Sequence, residues 1–198
     1  MSVTIKPGRL TEYCTAILTR SGVPGKVARS VADSLVAADL RGVASHGVVR
    51  LGIYVRRISE GMIDPVAEPE LVADEAAFGL LDGRNNFGAY VGDLALDIAL
   101  ERAASGGAYA LGVKRSNHFG TGAYYVKRAV ENGFALIVLS NASQTMPPTG
   151  GVRPFIGTNP IAFGFPTGGG VPFILDMATS LVARGKIIVA ASKGEDIP

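Results

Sequence analysis

The period of the apolar residues changes once along this chain, at the proline-bearing stretch "DPVAEPE" (residues 64–70). That change limits the possible folds more than any other feature. Before it, apolar residues recur at helical spacing, the pattern of helices buried along one face. "PGRLTEYCTAILTRSG" aligns Leu10, Tyr13, Cys14, Ile17 and Leu18 and stops at Gly22. "PGKVARSVADSLVAADLRG" opens on Pro24 and aligns Val27, Val31, Leu35 and Ala38. "VVRLGIYVRRISEG" aligns Leu51, Tyr54, Val55 and Ile58 and ends at Gly61. Residues 7–60 therefore read as three amphipathic helices, with His46 at the junction of the second and third.

After the connector, short apolar runs alternate with helical stretches. "ELVADEAAFGLLDG" predicts two strands around an acidic turn. "AYVGDLALDIALERAASG" predicts a helix with Val91, Leu94, Ala95, Ile98 and Ala99 inward. "AYALGVKRS" is a strand, "GTGAYYVKRAVENG" a helix, and "FALIVLSNAS" a buried strand with a polar end. "QTMPPTGGVRPFIGTNP" is a loop, and "IAFGFPT" and "VPFILDMATS" are strands around a glycine-rich turn. "SLVARGKIIVAASKG" starts as a helix. The alternation predicts an α/β class, or an α+β mixed sheet, over residues 66–198, behind a helical N-terminal segment over 1–65.

Composition removes several function classes. Net charge is +2 and the basic residues are scattered, so the basic stripe of a nucleic-acid binder is missing. Mean hydropathy is +0.29, yet no apolar run reaches the roughly 18 residues that span a bilayer. "MSVTIKPGRLTEYC" has no apolar core of a signal peptide. The one cysteine, Cys14, points to a reducing cytoplasm and removes thiolate metal sites. Two histidines in separate elements, without a close carboxylate, give no metal-ligand spacing.

Those two histidines carry the candidate chemistry. His46, in "ASHGVVRL", is a general acid/base candidate, because an imidazole ordinarily titrates near neutral pH. Arg50 follows four residues on. A helix over 46–58 would put both on one face, where a guanidinium fork suits a carboxylate beside a carbonyl or hydroxyl. The competing reading is a capping Ser45 beside a surface histidine. His118, in "RSNHFGTG", follows a strand, where α/β bodies collect ligands. Gly120 and Gly122 at a helix start expose backbone N–H groups to an anionic ligand. The competing reading is a glycine-rich turn. The spacing is neither G-x-G-x-x-G nor a phosphate loop; "ARGK", with Lys186, lacks the first glycine. Asp176, ending an apolar strand, needs a partner there. With Ser45 and His46 it would complete a hydrolase triad, but no G-x-S-x-G elbow accompanies it.

"ASHGVVRL", "RSNHFGTGAYY", "IGTNPIAFGFPT" and "LDMATSLVARGKI" occur in this order. Together they resemble the malate/L-lactate dehydrogenase family of NAD(P)-dependent oxidoreductases, whose fold is not Rossmann. The family also contains ureidoglycolate and sulfolactate dehydrogenases, diketogulonate reductase and piperideine-2-carboxylate reductase. The resemblance covers essentially the whole chain. It implies a malate/sulfolactate dehydrogenase-like fold in which 1–65 forms the substrate side and 66–198 the cofactor-binding body. It implies His46 as proton donor or acceptor, with Ser45 and Asp176 in support and Arg50 on the substrate carboxylate. His118 would lie at substrate and nicotinamide, and in some members is itself the acid/base. Phe119, Gly120, Thr121, Gly122, Ser140, Asn141, Asn159, Asp176, Met177, Ala178 and Ser180 would line NAD or NADP, and Thr158 the substrate side. Lys186 would reach the site as well. The resemblance also implies a homodimer. Members of the family are longer, which implies that this chain is truncated, with its body incomplete at the C-terminus and apolar surface uncovered. Two alternatives follow: a non-catalytic remnant that binds substrate or a partner subunit, and a Ser–His hydrolase.

Overall fold

The structure is a computed structural model that describes residues 4–180, 190–191 and 194–196. Lys186 and most of the expected helix at "SLVARGKIIVAASKG" lie outside the described residues. Residue contacts divide the chain into two compact units, Met1–Tyr124 and Tyr125–Pro198.

The first unit opens with the three expected helices, α1 (Pro7–Arg20), α2 (Gly25–Leu40) and α3 (Leu51–Ser59). Pro7 occupies the first turn of α1, where a missing N–H costs nothing. Just past α2, Gly42 with its φ of 76° lets the chain reverse while Val43 N–H bonds back to Ala38 O at 2.9 Å. Cys14, Leu18, Val27, Val31, Leu35, Leu51 and Tyr54 form one buried cluster with Phe87, Ala89 and Tyr90. Each large apolar side chain enclosed there stabilises the fold by about 1.5–3 kcal/mol. Tyr13, expected on the inner stripe, is 62% exposed. Thr11 takes the buried place instead, because the α1 stripe runs through Thr11, Cys14 and Leu18.

Strands β1 (Glu70–Asp74) and β2 (Phe78–Asp82) are antiparallel, with a register shift between Leu71 and Ala73. From β2 the chain passes through helix α4 (Gly88–Gly106) to β3 (Ala110–Lys114), which pairs parallel to β2. A parallel neighbour requires such a crossover. The mixed sheet is therefore three strands in the order β1-β2-β3. In α4 the buried residues are Gly88, Ala89, Tyr90, Val91 and Leu96, so the burial is concentrated in its first turns.

Helix α5 (Gly122–Glu131) leads into the second unit, where β4 (Leu136–Leu139), β5 (Ile161–Phe165) and β6 (Phe173–Met177) form an antiparallel sheet. Val126 and Val130 of α5 pack on Leu136, Val138, Ala162 and Ile174. The cross-strand partners on the other face include Ile137, Leu139, Phe165, Phe173 and Met177, each between 44% and 69% exposed. Strand β4, expected to be buried, is thus half-buried: its residues alternate, and only one face is covered. Among the described residues no helix is long and apolar enough to cross a membrane.

Candidate active site

The site in the first unit is built where two loops meet α2 and α3. After α2 the chain makes two short 3-10 turns, Ala44–His46 and Val48–Arg50, before α3 begins. His46 thus lies at the junction between helices, as the sequence reads, and not on one continuous helix with Arg50; the chain is extended at Gly47, φ −85°, ψ −155°. The cause of this extension is Asp39 in the last turn of α2. The Asp39 carboxylate accepts the Val48 N–H at 2.9 Å, and a Cβ on Gly47 would lie 1.8 Å from Oδ1. Only glycine lets the backbone approach that closely. The two turns also bring Arg50 back over Ser45, whose carbonyl accepts from Nε at 2.8 Å. His46 Nδ1 lies 3.0 Å from Ser45 Oγ.

His118 arrives from the other side. The loop after β3 is laced to the loop after β2, extending their pairing beyond the strands. Gly83 N–H bonds Lys114 O at 2.8 Å and Asn85 N–H bonds Arg115 O at 2.7 Å. Arg115 has φ +49°, an unusual backbone for a side-chain-bearing residue. Its guanidinium grips the buried Asp82, with Nε 2.8 and 3.0 Å from the two oxygens. That bond holds the Asp82 carboxyl well below the usual carboxylate range. Asn117 donates from Nδ2 to Asn85 O at 2.8 Å and to Asn86 O at 3.2 Å. Gly88, the first residue of α4, sits against this turn; a Cβ there would lie 2.0 Å from Asn117 O and 2.6 Å from the His118 carbonyl.

The two histidines meet with ring centroids 5.4 Å apart and planes 26° from parallel. Tyr54 of α3 reaches the same place, its Oη 2.7 Å from His118 Nδ1. Burial and then the charges of Arg50, His46 and Arg57 push the His118 imidazole down to about 3. Burial pushes the Tyr54 phenol up to about 12, so it stays protonated. Ser45, His46, Arg50 and His118, read from separate stretches of sequence, are thus one cluster. A neutral imidazole beside a second imidazole and a guanidinium can hold a carboxylate and exchange a proton with an adjacent oxygen.

Sequence reasoning missed Tyr54 as a site residue, along with Asn117, Gly88 and the Asp82–Arg115 pair. Tyr54 did carry a signal: a hydroxyl on the buried stripe of an amphipathic helix needs a partner. The others did not, because their roles follow from the parallel pairing of β2 and β3.

Phe119 and Gly120 follow His118, and Thr121 leads into α5 at Gly122. Thr121 Oγ1 is buried without a hydrogen-bond partner among the described residues. The remaining expected contacts lie in the second unit, at one end of its sheet. Ser140 follows β4 and Thr158 and Asn159 precede β5; Asp176 and Met177 end β6, and Ala178 and Ser180 follow. Asn159 Oδ1 accepts from Ala142 N–H at 2.9 Å, and Thr179 N–H bonds Thr158 O at 3.0 Å. Among the described residues no group of three acidic, histidine or cysteine side chains could hold a metal ion.

A family model described as malate/L-lactate dehydrogenase matches residues 5–198. The malate dehydrogenase of Pyrococcus abyssi is 43% identical over 196 residues, which are 99% of this chain and 54% of that protein. The sulfolactate dehydrogenase structure from Methanocaldococcus jannaschii superposes with TM-score 0.92 at 35% identity, covering 99% of this chain and 57% of the other. The delta1-piperideine-2-carboxylate reductase structure from Pseudomonas syringae superposes with TM-score 0.94 at 31% identity, covering 100% and 59%. The chain spans just over half the length of these relatives.

Proposed function

The chain belongs to the malate/L-lactate dehydrogenase family, and on that premise we propose that it carries the acid–base and carboxylate-binding part of an NAD- or NADP-dependent oxidoreductase. Its substrate class is a small 2-hydroxy or 2-oxo acid, or a cyclic imino acid. The observation that supports this reading above the others is the stacked His46–His118 pair, 5.4 Å apart, with Arg50 beside it. In this reading Arg50 fixes the substrate carboxylate through its guanidinium fork. His46 exchanges the proton with the neighbouring carbonyl or hydroxyl oxygen. Ser45 Oγ, 3.0 Å from His46 Nδ1, steadies the ring for this exchange. His118 orients the same oxygen from the other ring. Holding the reacting oxygen and carboxylate together contributes much of the acceleration in such reactions.

A nicotinamide cofactor fits the residues present. Thr121 Oγ1 at the start of α5, without a partner among the described residues, offers a hydrogen bond to it. His118, Phe119, Gly120, Thr121 and Gly122 would hold it. Ser140, Asn159, Asp176, Met177, Ala178 and Ser180 are proposed as further contacts on the family resemblance, with Thr158 on substrate and Asp176 in support of His46. When bound, the cofactor supplies or takes the hydride at the substrate carbon. A cytoplasmic location, from the single buried Cys14, and a homodimer, from the family, are part of the same proposal.

The test mixes the full chain with NADH or NADPH and a panel of oxaloacetate, sulfopyruvate and piperideine-2-carboxylate, following absorbance of the reduced nicotinamide. Consumption with at least one acid, lost in His46→Gln, is the expected result. No consumption with any acid and no dinucleotide binding by calorimetry would leave a substrate- or subunit-binding remnant in its place.

A further inference from the structure

We propose that Tyr54 is a positioning residue that locks His118 in the Nε2–H tautomer, making His118 a neutral hydrogen-bond donor and leaving proton exchange to His46. The inference rests on the reading above and divides the work between its two histidines.

The geometry begins with an accounting of one hydrogen. Tyr54 is 3% exposed, and its Oη has one hydrogen-bond partner among the described residues, His118 Nδ1 at 2.7 Å. A buried phenol that donates nowhere would cost about 1–3 kcal/mol. If Nδ1 carried a proton, the Tyr54 hydrogen would have no acceptor among the described residues. With Nδ1 as acceptor both groups are satisfied, and the ring proton must sit on Nε2.

The phenol is itself held rigidly. Tyr54 lies on the buried face of α3 beside Leu51, and its ring meets Phe87 edge-on, centroids 5.7 Å apart at 71°. Phe87 is 1% exposed and precedes α4, the helix whose Gly88 abuts the His118 carbonyl. One packed unit therefore sets both the donor and the acceptor.

Charge points the same way. The groups bearing on His118 are Arg50 from the second 3-10 turn, Arg57 from α3 and His46 from the first turn. A second proton on His118 would add a positive charge among two guanidiniums. An oxygen that gains negative charge during reduction is stabilised by a fixed Nε2–H without competition for the proton His46 moves.

The sequence contains two histidines, so the full chain labelled with 15N-histidine shows two imidazoles. His46→Gln assigns them. We expect the His118 correlations to show the Nε2–H tautomer, unchanged from pH 8 to pH 5. Tyr54→Phe should turn this into a mixture of tautomers. An Nδ1–H or mixed state in the unmutated chain overturns the proposal, as does Tyr54→Phe leaving the tautomer unchanged. If Tyr54→Phe fails to fold, the tautomer of the unmutated chain decides alone. With a turning-over substrate, Tyr54→Phe should lower kcat about tenfold, with less change in KM, the effect of losing one hydrogen bond worth about 1.4 kcal/mol in the transition state. A change confined to KM overturns it. Absence of turnover with every acid would sink the oxidoreductase reading, whereas the tautomer stands or falls by the spectrum.

Discussion

Acidification should destabilise this protein through His118 before any carboxylate is involved. In the folded chain burial, Arg50, His46 and Arg57 push this imidazole down to about 3, against an ordinary value of 6.5. Below pH 6.5 the unfolded chain binds a proton that the folded chain refuses. Stability is therefore fully present above 6.5 and lost as pH falls toward 3. The slope is at most about 1.4 kcal/mol per pH unit, and the gap of about 3.5 units bounds the effect at about 5 kcal/mol. The ring is only half-buried, so water reduces this, and about 2 kcal/mol by pH 4.5 is the working magnitude. The assay is urea unfolding followed by circular dichroism from pH 7.5 to 4.5, comparing the unmutated chain with His118→Asn. Asparagine keeps an acceptor near Tyr54 but cannot be protonated. The unmutated chain should lose about 2 kcal/mol relative to the variant across that range. Asp74 and Asp82, both held low by hydrogen-bonded arginines, lose their contribution mainly below about pH 4.5 and do so equally in both proteins, so they cancel in the comparison. Parallel stability curves for the two proteins would refute the account of His118 as a half-buried ring kept neutral.

Gly88→Ala should cost about 1–3 kcal/mol or more in urea unfolding, because its Cβ would strike the Asn117 carbonyl, which is backbone and cannot rotate away. It should also displace His118, visible as a shifted imidazole signal. Arg50→Lys should raise KM for a 2-oxo acid about 10–100-fold, the loss of a charge-assisted fork worth about 1.5–3 kcal/mol, with kcat less affected. Asp82→Asn should lower the urea midpoint by loosening Arg115 from its φ of +49°; rescue by an Arg115→Gly second change would confirm that the pair serves the turn.

The three N-terminal helices, the order of strands and helices after them, and the residue types of the site are legible in the linear sequence. Those properties are local. The period of apolar residues reports which face is buried, and "ASHGVVRL" and "RSNHFGTG" carry their histidines whatever surrounds them. How the site residues are brought together and held depends on packing in three dimensions. Asp39 sets how the chain crosses the junction that holds His46 and Arg50, because a carboxylate nine residues upstream of Val48 takes its N–H. The parallel β2–β3 pairing fixes His118 by lacing two loops that are distant along the chain. Tyr54, legible only as one more apolar-face residue, becomes the partner of His118 when α3 packs against Phe87. Hydrogen-bond direction and burial of a ring depend on what lies across a few ångströms of space, and a one-dimensional period does not contain that information.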